Sequence, residues 1–247
     1  MIRHEDFLIV PSDETVIWRY MDLPKLLMVL EDKALYFSLV KELGDSWEAV
    51  LPQRLTDSIA QYWAPAVSGD FVNVMKTFSE VAGVNCWYRG ESESIAMWNL
   101  YTSKPYGVAI KSTVGRLKDC FHATSQDILL GSILYEDHRL PAERYLSPDQ
   151  INAVMPLLQK RPCYRHECEL RAITLFQPDG TPEHAQQIEP LPERGISVEV
   201  DLSILIESIT LGPGFYAHSL LVSALARAHI SPPILESDVH NPPARMS

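Results

Sequence analysis

The sequence predicts a single mixed α/β (α+β) domain, with a central mixed β-sheet flanked by helices over residues 1–236 and a mobile tail at 237–247. Three observations point there. The 247-residue chain carries no linker, repeat or low-complexity run that would divide it, and single mixed domains reach ~250 residues. Its 46% hydrophobic and 21% charged content is that of a globular protein, enough to bury a core without disulfides or a structural metal. Along it, short runs of β-favouring residues alternate with stretches of helical period.

Val16-Ile17-Trp18-Arg19-Tyr20 reads as a strand. Asp22 offers an N-cap with Pro24 in the first turn, and Leu23, Leu26, Leu27 and Leu30 fall on one helix face. Ala34 to Phe37 is a second strand, ending at Ser38, and 39–51 is a loop turning at Gly44-Asp45. A helix is expected over about 53–62, then a break near Pro65 and Gly69. Asp70 is expected to cap a helix with Phe71, Val74, Met75 and Phe78 inward, closed by Gly83. Val84 to Trp87 follows as a strand, then a short helix with Ile95, Trp98 and Tyr101 on one face, then a strand from Gly107 to Lys111. Thr113 caps a helix carrying Val114, Leu117 and Phe121, and Ile128 to Tyr135 is β-like.

Ser147-Pro148-Asp149-Gln150 has the form of a helix start, with Ile151, Val154, Met155 and Leu158 as the buried stripe. Glu169 to Leu175 is a strand, 177–195 a proline-rich surface loop, and Ser197–Val200 and Ile206–Leu211 are strands. Gly212-Pro213-Gly214 turns into a last helix at about 214–229, followed by an edge strand at Ile234–Glu236.

Lysine and arginine total 21 against 32 aspartates and glutamates, a net charge of −11. Non-specific nucleic-acid binders need the opposite sign, so any such contact requires a local basic patch. Four cysteines at 86, 120, 163 and 168 make neither a disulfide framework nor paired CxxC motifs. Cys163, His166 and Cys168 lack a fourth ligand at zinc spacing, so free thiols and no metal are expected. No apolar run approaches ~18 residues, and the charged N-terminus is unlike a signal peptide. No membrane contact and a soluble, cytoplasmic chain are therefore expected. P-loop, GxGxxG, HExxH and GxSxG motifs are absent.

The densest chemistry lies at 160–171, where ten of twelve residues have an ionisable side chain. Glu167 and Glu169, two apart, point to one side of a sheet if both are extended. Beside Arg165 or Arg171 they can hold distinct protonation states and orient a sugar hydroxyl. The alternative is an ion-pair ladder at a sheet edge. A second cluster runs through Trp87-Tyr88-Arg89-Gly90-Glu91, then Trp98 and Tyr101, as a stacking platform or simply a core helix and its loop. A third joins Trp18-Arg19-Tyr20 to Tyr36-Phe37-Ser38, where an arginine at a strand end grips a phosphate or snorkels.

These clusters, in this order, resemble the bacterial and phage domain-of-unknown-function family 2971. The matching stretches are WRYMDLPKLLMVLEDKALYFS (18–38), GDSWEAV (44–50), NCWYRGESESIAMWNLYTSKPYGVAIKST (85–113), KRPCYRHECELRAI (160–173) and VEVDLSILIESITLGP (198–213). Such domains usually carry Asn-Asp-Pro-Phe-Glu in the first loop; here it reads Gly44-Asp45-Ser46-Trp47-Glu48. The opening also resembles ADP-ribosyltransferase-type toxins, which close with a glutamate on a later strand. That resemblance implies an NAD-consuming transferase or glycohydrolase, a toxin or phage-defence effector with a protein or nucleic-acid acceptor. It implies catalytic roles for Arg19, holding a phosphate or ribose of NAD, and for Glu167 or Glu169 at the ribose 2′-hydroxyl, with Tyr36 and Ser38 lining the nicotinamide side. Of the two glutamates Glu169 is the expected one, because Leu170 and Ile173 place it at the start of a buried strand. The residue clusters add Tyr20, Trp87, Glu91, Trp98, Tyr164 and Arg171 as expected NAD contacts. Two other readings stand beside it: a non-catalytic nucleotide- or peptide-binding regulatory module, and a metal-dependent nuclease on Glu48, Glu91, Glu167 and Glu169.

Overall fold

The computed structural model describes residues 2–3, 8–139, 151–175 and 193–239. Its elements run β1 (Ile2–Arg3), β2 (Val16–Asp22), α1 (Leu23–Asp32), β3 (Ala34–Leu39), α2 (Gln53–Tyr62), α3 (Pro65–Val81), β4 (Ala82–Arg89), α4 (Ile95–Tyr101), β5 (Gly107–Thr113) and α5 (Val114–Asp119). They continue with β6 (Ile128–Ser132), β7 (Leu134–Tyr135), β8 (Gln159–Lys160), β9 (Glu169–Leu175), β10 (Gly195–Glu199), α6 (Leu202–Leu205), β11 (Ser208–Leu211), α7 (His218–Arg227) and β12 (Ile234–Glu236). Among the described residues no helix is long and apolar enough to cross a membrane.

The central sheet has the order β1-β6-β9-β4-β2-β5-β11-β12, with β3 and β10 branching from β4. It is mostly antiparallel, with parallel pairs at both ends, β1 with β6 and β11 with β12. A mixed α/β architecture with a central mixed sheet is thus what the chain adopts. The main core packs Leu23, Leu26, Val29 and Leu30 of α1 and Leu221, Ala224 and Leu225 of α7 with sheet residues such as Ile17, Phe37, Ile110 and Leu170.

The branch at β4 positions the site. One edge of β4 pairs with β9 from Ala82 to Tyr88. On its other edge β3 is seated at one end, Ser38 on Val84 and Leu39 on Gly83, and β2 at the other, Ile17 on Arg89 and Trp18 on Tyr88. Beyond these footholds the strands part: β2 continues along β5 and β3 along β10. Asn85, Cys86 and Trp87 lie in the gap, and the sheet forks there.

Several local expectations need correction. Asp70 does not cap a helix, because α3 starts five residues earlier at Pro65 and runs through Gly69 and Asp70. Proline is well placed in a first turn, where its missing N–H is unused, and an interior glycine costs only ~1 kcal/mol. Gly83 closes nothing, since the chain passes from Val81 straight into β4. The stripe Ile151, Val154, Leu158 is buried, but on a turn and a 3-10 segment at Met155–Leu158 rather than an α-helix. Pro156 explains this, because an interior proline clashes with the carbonyl four residues back. The helix start at 147–150 and most of the 177–195 loop lie outside the described residues. The last helix begins at His218 instead of 214. Past β12, Ser237 is buried and donates to Glu93 Oε2 at 2.5 Å.

Candidate functional site

A cavity of about 730 Å3 opens at the fork. Its wall includes Trp18, Arg19 and Tyr20 from β2, Tyr36 and Ser38 from β3, Cys86, Trp87 and Tyr88 from β4, and Tyr164, Glu167, Glu169 and Arg171 from the segment entering β9. Segments as far apart in the chain as Trp18 and Arg171 therefore converge. A more open depression of about 940 Å3 between the C-terminal ends of α1 and α7 contains none of the candidate site residues.

Arg19 reaches into the gap of the fork. Its Nη1 donates to the Cys86 carbonyl at 3.0 Å, and its guanidinium lies 6.0 Å from the centre of the Trp87 ring. The first bond replaces a ladder bond that the parting strands no longer make. Burial lowers the Arg19 pKa. Among the described residues no carboxylate pairs with Arg19, so its charge is open to an anion. Lys25, on the α1 face that also lines the cavity through Met28, Val29 and Asp32, adds a second cation.

The same wall carries an acidic cluster. Lys160 Nζ lies 2.6 Å from Glu167 Oε2, 2.8 Å from Glu169 Oε2 and 3.3 Å from Glu48 Oε1. Arg171, fully buried, donates from Nε to Glu169 at 2.6 Å, from Nη2 to Glu48 at 2.9 Å and from Nη1 to the Leu157 carbonyl at 2.7 Å. Tyr101 donates to Glu167 Oε1 at 2.6 Å. Three carboxylates against two cations leave a formal charge of −1. Behind this cluster Arg161 pairs with Asp45 at 2.9 Å and lies against the rings of Trp47 and Tyr164.

Burial alone would raise the Glu169 pKa, but Arg171 and then Lys160 more than offset it and hold the carboxyl well below its ordinary range. Burial likewise opposes the Lys160 and Arg171 charges, and Glu169 and Glu48 push both pKa values up nevertheless. Burial, then the bond to Glu167, raises Tyr101, and burial, then the Glu169 charge, raises the Cys86 thiol.

A pH dependence of stability follows. The depressed acid Glu169 stabilises the fold fully above the ordinary carboxylate value of ~4.3, and this is lost as pH falls through its lower folded value. The raised base Lys160 stabilises the fold fully below its ordinary value of ~10.4, and this is lost as pH rises through its higher folded value. Urea midpoints should therefore be level from about pH 5 to 8, fall below about pH 4, and fall again above about pH 8.5, where the Cys86 thiol ionises in the unfolded chain but stays protonated in the fold. Glu169→Gln should flatten that acid limb; an acid limb identical to wild type would dissociate it from Glu169.

Two features of the sequence reading change. Glu167 is not extended: it ends a 3-10 turn at Pro162–Glu167, and Cys168 adopts a left-handed backbone (φ 39°) before β9 starts at Glu169. The two glutamates meet through Lys160 instead of through a shared strand face. Glu91 and Trp98 do not line the cavity. Glu91 is exposed on the loop after β4, while Trp98 is buried, donating to Glu93 at 2.8 Å and packing edge-on against Tyr20. Lys160 was not assigned a site role from the sequence, although it opens the ionisable run at 160–171, and Tyr101, expected in a stacking platform, instead donates to Glu167. All four cysteines are free thiols. No family model matches the chain, and no curated protein matches it.

Proposed function

We propose that the forked cavity binds NAD and that the protein is an NAD-consuming enzyme, an ADP-ribosyltransferase-like or NAD-glycohydrolase-like one. The observation that carries this reading is the charge on the cavity wall: Arg19, which no carboxylate pairs among the described residues, and Lys25 line it together with a cluster of formal charge −1. NAD carries the complementary charges, an anionic pyrophosphate and a cationic nicotinamide ring. The cavity volume suits a small molecule, roughly 300–1,000 Å3 being usual. The residue order that resembles the toxin family supports the same reading.

In this mechanism Arg19 grips the pyrophosphate, for which a guanidinium fork is suited. Tyr36 and Ser38 flank the nicotinamide. The nicotinamide–ribose bond breaks with its electron pair leaving on the ring nitrogen, and the ribose becomes oxocarbenium-like. Glu169, fixed on β9, faces that developing positive charge, and water or an acceptor nucleophile captures the ribose. The test is nicotinamide release from NAD, followed by chromatography with and without cell extract. Arg19→Ala should raise KM about 10- to 100-fold, the worth of one charge-assisted contact, with a smaller effect on kcat. An unchanged KM would separate Arg19 from the pyrophosphate.

One observation favours a second reading, a module that binds a nucleotide without cleaving it: both glutamates are already engaged by Lys160. Saturable NAD binding with no release under any condition would decide for it. A nuclease is less well supported, because Glu91 stands apart and an ammonium already lies among the other three carboxylates.

A further inference from the structure

The fork in the sheet needs something to hold its arms at a fixed separation. Where β3 leaves β4 the ladder stops after Val84. The next residue, Asn85, is buried at 1% exposure and does not line the cavity. Its Nδ2 donates to the Tyr36 carbonyl at 2.9 Å, reaching across the gap to the strand that has just departed. Its Oδ1 accepts from Trp87 Nε1 at 2.7 Å. Both ends of the amide are thus used, and the indole donor fixes which end faces Tyr36. The ring of that tryptophan lies beside the Arg19 guanidinium, which closes the other side of the gap on the Cys86 carbonyl. A chain of contacts runs from Tyr36 through Asn85 and Trp87 to Arg19, joining the two arms through β4.

We infer that Asn85 is a positioning residue that clamps β3 across the fork, setting the distance between Tyr36 and Arg19 and hence the width of the cavity for its ligand. The inference rests on the dinucleotide reading for the identity of the ligand, and on the geometry alone for the clamp. A buried amide with a partner at both its nitrogen and its oxygen rigidifies its surroundings. Among the described residues the backbone pairs between β3 and β4 are those at Ser38 and Leu39, so without the clamp the β3–β10 arm keeps these and its core packing.

Asn85→Asp tests this. It preserves shape and the acceptor for Trp87 but removes the donor to Tyr36. Amide hydrogen exchange should accelerate in β3 and β10 while β5 and β9 keep wild-type protection. KM and Kd for NAD should rise about 10- to 100-fold, the usual cost of a misplacement of ~1 Å, with kcat at saturation nearly unchanged. Asn85→Ser, neutral and too short to reach Tyr36, should give the same pattern and serves if the aspartate variant does not fold. Exchange that accelerates uniformly over the sheet, or not at all, overturns the clamp. A localised acceleration with NAD affinity unchanged overturns its control of cavity width. If wild-type protein binds no NAD, the dinucleotide reading fails by itself, and the exchange pattern alone decides the clamp.

Discussion

Arg171→Ala is expected to destabilise the protein by about 3–5 kcal/mol, the usual consequence of removing one partner from a buried ion cluster. Arg171 has no exposure and supplies three hydrogen bonds, to Glu169, Glu48 and the Leu157 carbonyl. Its loss leaves three carboxylates around a single lysine, so a formal charge of −1 becomes −2 among side chains that are nearly buried. With typical stabilities of ~5–15 kcal/mol and ~2–4 °C per kcal/mol in chains of ~150–250 residues, Tm should fall by about 10 °C. Arg171→Lys should recover only part of this, because an ammonium cannot reproduce a planar fork spanning two carboxylates and a carbonyl. A thermal melt checks both, and an alanine variant within about 1 kcal/mol of wild type would mean that the cluster relaxes or admits water.

Glu169→Gln should slow nicotinamide release by ~10²–10³-fold, or ~3–4 kcal/mol, by analogy with the loss of one pre-oriented charge-stabilising group. Glutamine keeps the shape and still accepts from Arg171, so the fold survives. What it loses is the charge, and the cluster goes from −1 to formally neutral just where the ribose becomes cationic. Glu169 is chosen over Glu167 because it sits on β9, between β4 and β6, and Arg171 and Lys160 keep it ionised. Glu167 ends a 3-10 turn and shares its charge with Tyr101 and Lys160. Release at the wild-type rate would take Glu169 out of the mechanism. An equal loss in Glu48→Gln would assign the effect to the field of the whole cluster instead of to one carboxylate.

Strand β2 was legible because β-branched and aromatic residues (Val16, Ile17, Trp18, Tyr20) cluster there. The capped helix α5 was legible because its signals are local: Thr113 accepts from the Arg116 N–H as its position suggested. Errors arose where one local signal outweighed another nearby. Asp70 resembled a cap while Pro65 governed the start of α3, and the stripe at 151–158 suggested a helix that Pro156 forbids. Within the site, Arg19, Tyr36, Ser38, Trp87 and Tyr164 could be singled out by residue type and order. Glu91 and Trp98 were drawn in by proximity to an aromatic run, and burial and loop geometry exclude them from the cavity wall.

By itself the sequence determined which residues can carry charge, which can pack, and the order of most strands and helices, since periodicity and capping act over a few residues. Only the tertiary structure decided that β2 and β3 leave the same edge of β4, that Arg19 and Asn85 fill the resulting gap, and that Lys160 rather than strand geometry joins Glu167 to Glu169. These depend on pairings between segments far apart in the chain. Whether a buried charge finds a partner is settled by the register of those pairings, to which no local pattern is sensitive.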